Sequence, residues 1–304
     1  MDTPLLLPLG KHRQVECGIY GPEKGEPVFY FHGIPGSHHD VQMVEEALPR
    51  HGVRVIAPNR PGIGRSTHVR GRCVGAWAQD VEHIANELGI RDFSVLGVSG
   101  GGPYAAACAH FLPHRLKIAG IFNGMSPLNI AGASEGMRPF NRLFLEAARR
   151  WEPLAHMGIH FLIQRFRSDW KRCLATIHTG ANSSDFEVLA GEKIRQSLRQ
   201  SIEDTALQGV KGILTDIQAV VRPWGFRLED IPVKVLLWHS RDDTSVPVRM
   251  GQILAQRIPQ SEAIFFCEGG HFSLVKIIDA VLARLCSVLP TGEPPVPYHG
   301  PERA

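Results

Sequence analysis

The stretch GVSGGGPY at residues 97–104 holds a single serine, Ser99, among four glycines. An apolar run, FSVL at 93–96, precedes it, and an alanine-rich run that favours a helix follows it. Glycine weakens both strands and helices, so four glycines at such a junction need a structural reason. A serine on a sharp strand-to-helix turn, where the flanking positions must be small, supplies that reason.

Such a turn lifts the serine hydroxyl above the end of a sheet, in front of helix N–H groups that can stabilise negative charge. Gly97, Ser99 and Gly101 fit the G-x-S-x-G pattern of a nucleophilic serine. A plain glycine-rich turn and a phosphate-binding turn are the alternatives. The strand before the serine, the helix after it and catalytic partners further along the chain favour the nucleophile.

Length and charge bound the class of protein. The chain has 304 residues and a formal net charge of +3, which fits one large domain or a domain with an insertion. This charge is too small to indicate a nucleic acid or an anionic membrane as partner. No apolar run approaches the roughly 18 residues that a membrane helix needs.

The termini and the cysteines bear on the compartment. We find no signal peptide, and the six cysteines include no CxxC pair, so we expect reduced thiols and a cytoplasmic protein. Fifteen histidines are present without a zinc-binding spacing. We therefore expect neither a metal nor an organic cofactor.

Short apolar runs alternate with longer periodic ones along the first part of the chain. The pattern predicts strands at 27–31, 53–59, 93–98 and 116–124, with helices at 41–52, 77–89 and 103–113. This alternation is typical of an α/β fold with a mostly parallel sheet and helices on both faces.

Strand rhythm is lost between residues 125 and 231, where long helical patterns replace it, and it returns at 233–239 and 263–266. We therefore predict a core domain of residues 1–124 and 232–289, a helical cap of residues 125–231, and a flexible proline-rich tail of residues 290–304.

A serine hydroxyl needs a general base, and the base needs an acid that orients it. The segment EGGHFSLV at 268–275 offers His271 after the last strand, and WHSRDDTSVP at 238–247 offers Asp242 and Asp243. The order Ser, Asp, His is one of the known orders of a catalytic triad.

Four motifs together resemble the α/β-hydrolase family over nearly the whole chain: HGIPGS at 32–37, RPGIGRS at 60–66, GVSGGG at 97–102 and GGH at 269–271. The resemblance implies an eight-stranded, mostly parallel sheet, an inserted cap, Ser99 as nucleophile and His271 as base. Counting back from Val246, the family's acid-loop pattern selects Asp243, with Asp242 as the alternative.

The same resemblance implies an oxyanion hole made by the backbone N–H groups of Gly100 and Ile34. Members of the family with H-G-x-P have a cis proline, which leaves Ile34–Pro35 open to either isomer. Apolar residues in and before the cap are the candidates for substrate binding: Met125, Phe140, Phe144 and Trp151.

The expected function is that of a serine hydrolase, a carboxylesterase that cleaves small, mainly apolar esters through an acyl-enzyme. Lactonase, thioesterase, carbon–carbon bond hydrolase, prolyl aminopeptidase and perhydrolase activities stay open, as does a non-catalytic small-ligand receptor. Epoxide hydrolases and haloalkane dehalogenases carry aspartate where this chain has Ser99. The expected partner is a small-molecule ester, with no nucleic acid or membrane, and a homodimer stays open.

Overall fold

The structure, a computed structural model, describes residues 3–173, 183–267 and 269–286. It is built on one sheet of eight strands in the spatial order β1-β2-β4-β3-β5-β6-β7-β8. The strands are β1 (Leu5–Leu9), β2 (Arg13–Tyr20), β3 (Glu26–Phe31), β4 (Val53–Pro58), β5 (Phe93–Val98), β6 (Leu116–Phe122), β7 (Val235–Ser240) and β8 (Ser261–Phe266). Strands β3 to β8 run parallel, and β2 is antiparallel to both β1 and β4.

Nine labelled helices accompany the sheet in the described residues. They are α1 (Trp77–Glu87), α2 (Gly102–Phe111), α3 (Pro139–Arg150), α4 (Glu152–Ser168), α5 (Ser183–Ala190), α6 (Glu192–Thr205), α7 (Lys211–Val221), α8 (Val248–Arg257) and α9 (Leu274–Cys286). None of the described helices is both long and apolar enough to cross a membrane.

The predicted α/β fold with a mostly parallel eight-stranded sheet is confirmed. Alternate residues of the central strands face opposite sides of the sheet, as the two-residue period of a strand requires. Phe29 and Phe31 pack in the core that includes α1 and α2, while Val28 and Tyr30 pack in the core that includes α9. Apolar burial on both faces explains why these strands read as continuous apolar runs.

Two parts of the N-terminal region differ from the prediction. The expected helix at 41–52 is wrong, because the chain there forms three short 3₁₀ turns, at 38–43, 45–47 and 49–51. Pro49 has no N–H to continue a helix, and Gly52, with φ 60°, ends the last turn. The hairpin of β1 and β2 was not predicted at all.

Helices α3 to α7 lie between β6 and β7, and the described residues of that segment contain no strand. We call α3 to α7 the inserted helices. Their treatment as a separate cap of residues 125–231 stays a prediction, and the expected tail of residues 290–304 lies outside the described residues.

Candidate active site

Ser99 occupies the turn between β5 and α2. Its φ of 55° is rare for a residue with a side chain and costs on the order of 1–3 kcal/mol. The neighbouring glycines allow the chain to pack tightly there. A Cβ at Gly97 would lie 2.4 Å from the carbonyl oxygen of Gly101, and one at Gly101 would lie 2.0 Å from that of Phe31. The strain and the close packing are those of a turn that displays its serine.

The loop after β3 lies against this turn. The Ile34–Pro35 peptide bond is cis, and a Cβ at Gly100 would lie 2.6 Å from Cγ1 of Ile34. A Cβ at Gly33 would lie 4.0 Å from Oγ of Ser99. The two residues predicted to form the oxyanion hole, Ile34 and Gly100, are therefore neighbours, and their role as donors stays a prediction.

A buried ionic cluster holds this loop by hydrogen bonds to its carbonyl oxygens. The guanidinium of Arg60 donates to the carbonyl oxygens of His32, at 2.7 Å, and Gly33, at 2.8 Å. Asp216 of α7 accepts from Arg60 at 2.7 Å and from Arg72 at 2.5 Å. The side chain of Arg60 is fully buried and that of Asp216 is 2% exposed. An inserted helix thus anchors the arginine that holds the loop.

The surroundings of this cluster keep Asp216 ionised and His32 neutral. Burial would raise the pKa of Asp216, but the guanidiniums of Arg60 and Arg72 outweigh it and hold that pKa below its ordinary value. Burial beside Arg60 lowers the pKa of His32, which is therefore a neutral imidazole at pH 7. The Nδ1 atom of His32 lies 2.9 Å from the carbonyl oxygen of Gly33.

The candidate acid and the candidate base meet at the carboxyl ends of β7 and β8. Nδ1 of His271 lies 2.7 Å from Oδ2 of Asp243. Oδ1 of Asp243 accepts from the backbone N–H groups of Ser245, at 2.8 Å, and Val246, at 2.9 Å. These bonds give a physical reason for the spacing to Val246 that singled out Asp243, and Asp242 is exposed.

The pKa of His271 reflects these surroundings. Burial alone would lower it, but the charge of Asp243, the hydrogen bond to Asp243 and the charge of Asp185 outweigh burial. Arg138 acts in the opposite direction, and the net pKa lies above the ordinary value for histidine. In the described part of the chain, no hydrogen bond joins His271 to Ser99. Catalytic hydrogen bonds are often long before substrate binds.

Asn123 at the end of β6 was missed by the sequence analysis. Its side chain accepts from the N–H of Ser240 at 2.8 Å and donates to the carbonyl oxygens of Gly270, at 3.1 Å, and His271, at 3.3 Å. It is fully buried and has a φ of 44°. Asn123 therefore links the end of β7 to the loop that carries His271. Asparagine tolerates the left-handed region, so an Asn after a strand was the available signal.

The candidate substrate-binding residues separate into two groups. Met125 is buried, and its N–H donates to the carbonyl oxygen of Ser99 at 3.2 Å, which places it beside the turn. Phe140 and Trp151 are each 62% exposed, and Phe144 is half-buried with its ring 6.3 Å from that of Phe140. No described contact brings these three to Ser99, so their role in a pocket stays a prediction.

A second polar group lies between β2, the 38–43 turn and α6. Its members, His38, His39 and Asp204, have possible metal-ligand atoms within 4.8 Å of one another. Each already has a protein partner: His38 bonds to Tyr20 at 2.7 Å, His39 to Gln42 at 3.0 Å, and Asp204 to Asn59 at 2.9 Å. Burial and the neighbouring His39 lower the pKa of His38 to about 3, so this imidazole is neutral. Sequence spacing could not find the group, because Asp204 lies far along the chain.

Comparisons with known proteins identify the family to which the chain belongs. Residues 26–276 match the family of the alpha/beta hydrolase fold. The AB hydrolase superfamily protein YisY of Bacillus subtilis is 25% identical over 81% of this chain and 85% of its own length. The bifunctional esterase/perhydrolase DCH of Acinetobacter calcoaceticus is 31% identical over 36% of this chain and 41% of its own length.

Among solved structures, a bromoperoxidase from Bacillus anthracis superimposes with a TM-score of 0.70 at 19% identity, over 93% of this chain and 99% of that one. This likeness concerns the fold. The chain belongs to the α/β-hydrolase family. It is a hydrolase of that family with esterase relatives.

Proposed function

We propose that the protein is a serine carboxylesterase that uses Ser99, His271 and Asp243 as a catalytic triad. The observation that carries the proposal is the 2.7 Å bond between His271 and a buried Asp243 whose other oxygen accepts two backbone N–H groups. An imidazole held in this way keeps one tautomer and has Nε2 available as a base. The strained turn supplies Ser99 at the same edge of the sheet.

In this mechanism, Nε2 of His271 takes the proton of Ser99 as its oxygen attacks the ester carbonyl. The backbone N–H groups of Ile34 and Gly100 stabilise the oxyanion. The alcohol leaves with the proton from His271, and water then attacks the acyl-enzyme and releases the acid. No cofactor takes part in these steps.

The substrate is an ester with a small, uncharged acyl group. The side chain of Ile34 lies against Gly100, and buried Met125 bonds to the backbone of Ser99. Apolar groups beside the reacting atom favour an apolar acyl chain. The name of the Acinetobacter relative supports a second candidate: in a perhydrolase, hydrogen peroxide in place of water attacks the acyl-enzyme and a peracid is released.

The decisive experiment treats the protein with a fluorophosphonate and locates the adduct by mass spectrometry. We expect the label on Ser99, and turnover of p-nitrophenyl esters that is undiminished by EDTA and absent from Ser99→Ala. Adding hydrogen peroxide and assaying peracid separates the two candidates. A protein that takes no label and hydrolyses no ester would be a receptor rather than an esterase, and the proposal would fail.

The acid is tested by a matched pair of neighbours. Asp243→Asn should lower kcat by about 10⁴-fold, because the imidazole loses its tautomer and the charge that stabilises imidazolium. Asp242→Asn, one residue earlier on the exposed side of the loop, should change kcat by less than about threefold, in line with the small effect of surface substitutions. Steady-state kinetics on one ester suffices, and the reverse ranking would transfer the role to Asp242.

A further inference from the structure

A carboxylate from the inserted helices reaches the loop that carries His271. Asp185 lies in the first turn of α5 and is 5% exposed. Its Oδ2 accepts the backbone N–H of His271 at 2.9 Å, and its Oδ1 accepts that of Phe272 at 2.8 Å. The two carboxylate oxygens therefore accept hydrogen bonds from consecutive backbone N–H groups of the loop that carries His271. Hydrogen bonds to an ionised acceptor are among the stronger ones in proteins.

Gly270 provides the space for this contact. A Cβ at position 270 would lie 2.1–2.3 Å from three atoms of the Asp185 carboxylate, closer than any real side chain could approach. Gly270 does not have a positive φ, so the turn itself does not require glycine there. The close approach of Asp185 is what requires glycine at this position.

We propose that Asp185 is a positioning residue, which fixes the backbone of the His271 loop from α5 and so keeps the imidazole on Asp243. The inference rests on the proposed function, since it assigns His271 the part of the base. It also means that seating of α5 on the core is coupled to the activity of the triad.

The charges around His271 make the proposal measurable. They come from Asp243 in the loop after β7, Asp185 on α5 and Arg138 before α3. His239 within β7 also faces His271, but burial lowers the pKa of His239. The negative charge of Asp185 stabilises imidazolium and contributes to the raised pKa of His271. Asp185→Asn keeps an acceptor oxygen and removes the charge, so it should lower that pKa.

The first test is a double-mutant cycle. Asp185→Ala should lower kcat by about 100-fold with a smaller change in KM, because a small displacement of a catalytic group has a cost of that size. Gly270→Ala should lower kcat because its Cβ displaces the carboxylate. The double variant should be no slower than Asp185→Ala, since the clash is then gone. Losses that multiply would show independent sites and overturn the proposal.

The control is Glu187→Gln on the same helix. Glu187 is 71% exposed and pairs with Lys276 of α9 at 2.6 Å, so it is another contact between α5 and the core. Removing the charge of Glu187 should leave kcat, KM and the pH profile unchanged. A loss in this variant equal to that in Asp185→Ala would mean that any weakening of α5 has the effect, and the proposal would be wrong.

The second test has two readouts that need no ester turnover, NMR titration and amide exchange. The imidazole of His271, titrated by NMR, should have a lower pKa in Asp185→Asn. Where esters are hydrolysed, the acidic limb of the kcat/KM profile should move to lower pH as well. Amide exchange at His271 and Phe272 should be faster in Asp185→Ala and unchanged in Glu187→Gln. If the wild type neither hydrolyses esters nor takes label, the proposed function fails while these measurements still decide the role of Asp185. An unaltered titration and unaltered exchange would overturn it.

Discussion

Helices α7 and α3 both belong to the inserted helices, yet they are buried to opposite degrees. Every residue of α7 except Lys211 is buried, whereas Ala148 is the buried residue of α3. Helix α7 lies between the core, which it contacts through Asp216, and helices α3 and α4, which pack on it. Helices α3 and α4, with Trp151 between them, leave large apolar side chains exposed to solvent: Phe140 (62%), Leu143 (69%), Trp151 (62%), Met157 (64%) and Phe161 (65%).

The difference shows that apolar content does not by itself tell which inserted helix faces the site. The sequence makes Phe140, Phe144 and Trp151 candidates for the pocket, yet the side chains of Phe140 and Trp151 are largely exposed to solvent. One residue that ties the inserted helices to the core is charged: Asp216, in the mostly apolar helix α7. Its partners, Arg60 and Arg72, come from a distant part of the chain.

The variant Asp216→Ala tests the burial of α7 with the largest expected effect. The side chains of Arg60 and Arg72 are 0% and 5% exposed, so the variant leaves two buried cations without their anion. We expect a loss of about 3–5 kcal/mol in the free energy of unfolding, measured by urea denaturation. The exposed pair of Arg199 with Glu203 on α6 provides the control, and Glu203→Ala should cost less than about 1 kcal/mol.

The pH dependence of this loss follows from the lowered pKa of Asp216. A carboxylate whose pKa is lower in the folded protein stabilises it above its unfolded pKa, and the stabilisation disappears as the pH falls through the folded value. The difference between wild type and Asp216→Ala should therefore stay constant from pH 8 to about pH 5, since carboxylate pKa values in unfolded chains lie near 4. A difference that fades within this range would show that Asp216 is not held ionised.

Truncating one apolar side chain on each of α7 and α3 should change the free energy of unfolding by different, smaller amounts. Ile217 on α7 is 2% exposed and Leu143 on α3 is 69% exposed. Ile217→Ala should lower the free energy of unfolding by about 2–5 kcal/mol through the cavity it leaves, and Leu143→Ala should change it by less than about 0.5 kcal/mol. Equal losses in urea denaturation would show that α3 is covered in solution and would remove the contrast.

Much of the fold can be predicted from local sequence patterns. Strand β5 and the turn at Ser99 follow from an apolar run that meets glycines, and their bounds match the prediction. The helix expected at 41–52 is replaced by short 3₁₀ turns, and the last of them begins at Pro49, a signal that was present in the sequence. The hairpin of β1 and β2 was also within reach, because polar Gln14 and Glu16 alternate with apolar Val15 and Cys17 in the sequence of β2.

Several contacts of the candidate site join residues far apart in the sequence, and local patterns do not predict them. Asp243 could be singled out because its partners Ser245 and Val246 are close in sequence. Asp185 and Asp216 meet their partners across long separations along the chain. Nothing in the spacing of an aspartate within a helix indicates which distant loop it will contact.

The position of Arg60 has a consequence for the peptide group between Gly33 and Ile34. The carbonyl oxygen of this group is the one that Arg60 and His32 hold, and its N–H belongs to Ile34. A cation at the oxygen of an amide draws electron density from the nitrogen, because hydrogen bonds in a chain polarise one another. In the proposed mechanism, the insertion therefore affects the reaction by electronic induction through a single amide: Asp216 anchors the cation, and the cation makes the Ile34 N–H a stronger donor to the oxyanion.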